Sequence, residues 1–107
     1  MDHPIVHLNR AAYVLAIGPG DVRSRLKDAY YSLALVQQEH LPPELRKDFE
    51  WVMKSLTKPK ARHSQESDLD MTLHYMQNRT GARIAQRILY IQTRLQEFLE
   101  AGLLSQK

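Results

Sequence analysis

Four arginines and a tyrosine in the last third of the chain carry its clearest chemical potential. At about 100° per residue in a helix, Arg79, Arg83, Arg87 and Arg94 fall in one arc with Tyr90 among them. Ile84, Ile88, Ile91, Leu95, Phe98 and Leu99 fall in the neighbouring arc, so one face must be buried and the other presents guanidinium groups. Guanidinium suits planar, bidentate contacts to phosphate or carboxylate, and Tyr90 between Arg83 and Arg94 makes a docking spot for an anionic partner. A second basic candidate is the segment 57–67, where Lys58, Lys60, Arg62 and His63 stand among residues without apolar periodicity. Each feature has a structural alternative, because charge runs are usually solvated and helix arginines often pair with carboxylates nearby.

Other chemistry weakens on inspection. His3 and His7 have the spacing that puts two imidazoles on one helix face, but no third ligand accompanies them, so neither a metal site nor a cofactor is expected. The start Met1-Asp2-His3 can chelate square-planar copper or nickel through its amine, amides and imidazole, which is fortuitous chemistry. Asp68 and Asp70 stand where a helix start favours carboxylates, and capping accounts for them better than acid–base catalysis. No serine sits in a nucleophile elbow, and Gly18-Pro19-Gly20 lacks the lysine and the preceding strand of a phosphate loop. Small helical ribonucleases of the HEPN kind carry an arginine followed four to six residues later by a histidine, and no arginine here has such a histidine. Cysteine is absent, which removes thiolate catalysis, disulfides and cysteine zinc sites. No catalytic residue is therefore assigned.

The elements that must position these residues are helical. Ile5, Leu8, Ala12, Leu15 and Ala16 form a first stripe, stopped by Gly18-Pro19-Gly20. Asp21 then opens a second helix with Val22, Leu26, Ala29, Tyr30, Leu33 and Val36 inward. His40-Leu41-Pro42-Pro43 breaks it, and Pro43 starts a third with Leu45, Phe49, Val52, Met53 and Leu56 inward. Residues 58–67 read as an exposed, mobile loop. Ser67 with Asp70 caps a short fourth helix carrying Leu69, Leu73 and Met76. Asn78 or Thr80 caps the fifth, in which Gly81 marks either a close helix approach or a frayed start. That helix is expected to end near Ala101, with Gly102 as its stop and a frayed tail at 103–107. Tyr13, Tyr30, Tyr31, Tyr75 and Trp51 mostly lie near these core arcs and are expected to pack with wet hydroxyls.

The prediction is one all-α domain over 1–107, ordered from about 5 to 101. Its architecture is a compact up-and-down bundle of four main helices plus one short one. Arg25-Leu26 with Ala29-Tyr30, Leu41-Pro42 with Leu45-Arg46 and Phe49, and Ile84-Ala85 with Ile88-Leu89 resemble a group of small, uncharacterised bacterial helical proteins. That resemblance implies a helical fold and a bacterial source and brings no known activity. The apolar run 11–17 is too short for a signal peptide or a membrane span, so a cytoplasmic protein with no membrane partner is expected. A net charge of +3 favours anionic partners mildly. The expected function is non-catalytic binding of another protein, a second copy of this chain included. Val14, Ile17, Leu35 and Leu89, which fall off the main stripes, are the candidates for self-pairing. A nucleic-acid-associated protein using the basic helix face is the alternative, and an enzyme with an unrecognised site is the second alternative.

Overall fold

Local capping chemistry sets most of the element boundaries. The computed structural model describes residues 3–58 and 67–105, with side chains through residue 102. Among these residues the elements are α1 (Pro4–Ile17), α2 (Val22–Leu33), a 3-10 turn (Gln38–His40), α3 (Pro43–Leu56), α4 (Asp68–Tyr75) and α5 (Asn78–Ser105), with no strand. The Gly18 amide closes α1 on the Val14 carbonyl at 2.7 Å, and Gly20 takes φ +84, which favours glycine. Asp21 is the N-cap of α2, its carboxylate accepting the Ser24 amide at 3.1 Å. Pro43 occupies the first turn of α3, where its missing N–H costs no intrahelical bond. At α4 the Ser67 hydroxyl accepts the Asp70 amide and donates to the Asp70 carboxylate, both at 3.1 Å.

Four boundary or register expectations need correction. α1 buries His7, Leu8, Ala11 and Leu15, while Ala12 is half-buried and Ala16 exposed. The helix is turned so that small Ala11 faces its neighbours α2 and α5 and Asn9 accepts a hydrogen bond from Gln92 at 2.8 Å. α2 ends at Leu33, because the Leu35 and Val36 amides donate to carbonyls three residues back and tighten the chain into a turn. Val36 still reaches the core through that turn. α5 starts at Asn78, so neither Asn78 nor Thr80 occupies the cap position. Its backbone continues through Gly102 to Ser105, since glycine lowers helix propensity by about 1 kcal/mol without breaking the ladder. The predicted loop at 58–67 is described only at its ends, exposed Lys58 and the capping residue Ser67.

Contacts between elements set the helix directions. Gly81 lies against Val22 and Leu26, so α2 and α5 start at the same end. The turn at 18–21 folds α1 back along α2, where Arg25 donates to the Leu15 carbonyl, and on α3 Asp48 meets Arg87 while Ser55 shares a cleft with Thr80, so α1 and α3 both run antiparallel to α5. The result is an up-and-down bundle in which short α4 crosses one end, packed on α2 and α3. Gly81 is a close-approach glycine: a Cβ there would stand 2.9 Å from Val22 Cγ1. One core runs through all the helices, with Leu8, Leu26, Phe49, Val52, Ile88 and Leu95 among its members. No helix among the described residues is long and apolar enough to cross a membrane.

Candidate anion-facing cleft

The helical repeat of α5 that buries Ile84, Ile88, Ile91 and Leu95 turns Arg79, Arg83, Arg87, Tyr90 and Arg94 outward, and all five are exposed. Their electrostatic states differ. Arg87 reaches across to Asp48 of α3 at 2.9 Å, and its guanidinium lies 5.5 Å from the centre of the Tyr90 ring. Arg94 pairs within its own helix with Glu97 at 2.8 Å and lies 5.6 Å from the Phe98 ring centre. The Glu97 contact raises the Arg94 pKa, which holds that charge more firmly in place. Arg79 and Arg83 have no ion pair among the described residues. The stripe thus divides into an engaged half and an unengaged half.

Opposite the unengaged half, α3 supplies a residue that the sequence pattern misplaced. Trp51 is 44% exposed, and Tyr13, Tyr31 and Tyr75 are exposed as well, so the expectation of mostly packed rings fails, while Tyr90, set apart between Arg83 and Arg94, is exposed too. Only Tyr30 packs against the core. The reason is angular: on α3 the positions 45, 49, 52 and 56 face the core, and position 51 falls outside that stripe. A large apolar residue off a complete stripe was the available signal.

Trp51 divides two adjoining clefts. The larger, about 850 Å³, lies between α3, α4 and α5, with Trp51, Lys58, Tyr75 and Arg83 on its walls and buried Met76 and Ile84 at its base. The smaller, about 590 Å³, runs between α3 and α5 and is lined by Lys47, Asp48, Trp51, Arg83, Arg87 and Tyr90. Trp51 and Arg83 belong to both. The single carboxylate among the described lining residues is Asp48, which Arg87 engages. Lys54, at the rim, is paired with Glu50 at 2.7 Å, and that contact lowers the Glu50 pKa. An indole, a free guanidinium and an apolar base side by side suit a ligand that is both anionic and partly apolar.

The remaining candidates separate. Of the basic loop, Lys58 borders the larger cleft, while Lys60, Arg62 and His63 lie outside the described residues. His3 stands before α1 as its N-cap, its Nδ1 accepting the Ile5 amide at 3.1 Å. His7 is 8% exposed and its Nδ1 has no partner among the described residues. One is thus a surface cap and the other a core residue. No group of three possible metal-ligating side chains occurs among the described residues. Asp70 is spent on capping and on Lys27 at 3.0 Å, and these contacts, Lys27 first and Ser67 second, lower its pKa. A third depression, about 630 Å³, includes this pair together with Asp21 and Arg23, so its charges are matched internally. Comparison of the chain with known family models, curated proteins and solved structures finds no match.

Proposed function

We propose that the protein is a non-catalytic interaction module that holds an acidic segment of a partner protein in the cleft between α3 and α5. The observation that carries this is Arg83, which is exposed, has no ion pair among the described residues and lines both clefts beside Trp51. An uncompensated guanidinium offers a carboxylate two parallel hydrogen bonds. Lys47 and Lys58 add positive potential that steers an acidic segment inward. The indole, with Met76 and Ile84 below, gives an apolar anchor its buried contact. A purely anionic ligand would leave that apolar base unused, which favours an amphipathic peptide over a phosphate chain.

Trp51 is the sole tryptophan, so its emission reports on the cleft directly. Titration with a glutamate-rich amphipathic peptide should shift that emission, and Arg83→Glu should weaken binding tenfold or more, equivalent to about 1.4 kcal/mol. Unchanged emission at millimolar peptide, or unaltered affinity in Arg83→Glu, would reject the proposal. Exposed Trp51, Tyr75 and Tyr90 beside cations favour a second occupant, single-stranded nucleic acid stacked on the rings. Affinity for an oligonucleotide would then fall steeply with salt, whereas an apolar-anchored peptide would lose less.

A further inference from the structure

α1 carries an outward stripe that the core does not use. Val6, Arg10, Tyr13 and Ile17 recur at steps of four, three and four, so they form one line along the helix. All four are exposed, Tyr13 to 64% and Ile17 to 60%. Arg10 has neither an ion pair nor a side-chain hydrogen bond among the described residues. In order, the stripe reads aliphatic, guanidinium, aromatic ring, aliphatic.

We infer that α1 pairs with α1 of a second copy of this chain, antiparallel about a twofold axis. The stripe is self-complementary only in that sense. With its midpoint between Ala11 and Ala12, an antiparallel neighbour sets Val6 against Ile17 and Arg10 against Tyr13, and the twofold repeats each contact. Aliphatic meets aliphatic, and each guanidinium meets a ring face, a favourable cation–π arrangement. Parallel pairing would instead oppose Arg10 to Arg10. The 4-3-4 spacing is also that of a coiled-coil seam, which keeps the stripe facing its partner along the contact. Twelve residues at about 1.5 Å rise make a short seam, so the interface falls at the small end of specific ones and dissociates in the micromolar range. α1 packs on α2 and α5, away from α3, so pairing leaves the cleft at Trp51 open and the dimer presents two of them. This inference does not depend on what the cleft binds.

Sedimentation equilibrium from about 5 to about 500 µM brackets that dissociation range. The mass should rise from one chain towards two, and Tyr13→Arg, which opposes two guanidinium groups, should abolish the rise. Arg10→Glu alone should weaken pairing, and Arg10→Glu combined with Tyr13→Arg should restore it, because the opposed positions again attract. The chain lacks cysteine, so oxidation of single-cysteine variants reports orientation: Val6→Cys mixed with Ile17→Cys should give mainly the crossed disulfide. Circular dichroism of each variant separates lost pairing from lost folding. A monomer mass throughout, a Val6→Cys self-disulfide forming as fast as the crossed one, or failure of the double change to restore pairing would overturn the inference.

Discussion

The two faces of α5 do opposite work. Inward, Ile84, Ile88 and Ile91 have no accessible surface and join helices drawn from the whole chain into one core. Outward, Arg83, Arg87 and Arg94 are exposed, and the ion pairs that two of them make belong to a class worth about 0 to 1 kcal/mol each. The energy that holds the fold lies on one side of the helix and the chemistry that can recognise a partner lies on the other. Changes on the outer face can therefore alter binding while leaving the bundle intact.

The sharpest way to break this division is to cut into the inner face. Ile88→Ala, or Phe49→Ala across the core, should lower unfolding free energy by about 2 to 5 kcal/mol, read by chemical denaturation. A loss under about 1 kcal/mol would mean that the core lies elsewhere. Next in size is Gly81→Ala, where the new Cβ meets the stiff Val22 side chain. Overpacking there should cost about 1 to 3 kcal/mol despite better helix propensity. The same change at Gly102, where a Cβ meets open space, should be neutral or raise stability by up to about 1 kcal/mol. Opposite signs at two glycines of one helix would be read as opposite shifts in melting temperature.

Capping gives a smaller effect with a pH signature. Ser67→Ala should cost about 1 kcal/mol. Asp70 is held below its ordinary pKa by Lys27 and Ser67, and Asp21 by the Ser24 amide and then Arg23. A depressed folded-state pKa contributes stability that is present above the unfolded value, near pH 4, and lost as pH falls through the folded one. Melting temperature should therefore decline as pH drops below about 4, and Asp70→Asn should flatten the decline. A slope unchanged by that substitution would show that Asp70 contributes nothing to it.

What the sequence made legible is what local chemistry controls. The stripes of α2, α3 and α5, the glycine–proline stop at 18–20 and the Ser67 cap follow from periodicity and from side chains bonding backbone within a few residues. The close-approach alternative for Gly81 was also available, because a glycine inside a helix invites it. The rotation of α1 that chose Ala11 over Ala12 was not legible, since α2 and α5 decide it from outside the segment. Nor was the cleft, whose walls come from α3 and α5, or the pairing of Arg87 with Asp48 across 39 residues of sequence. Trp51 carries the lesson most plainly: its residue type suggests core and its helical angle denies it.

The smallest expected change in stability belongs to the measurement that bears most directly on the division between faces. Arg83, Arg87 and Arg94 are replaced together by glutamine, and thermal unfolding is followed alongside binding of the glutamate-rich peptide. The melting temperature should stay close to that of the parent while affinity falls tenfold or more. A large drop in melting temperature would contradict that division. That result would mean that the Arg87–Asp48 pair is structural, with the half-buried Asp48 carboxylate, 27% exposed, left uncompensated when its partner goes.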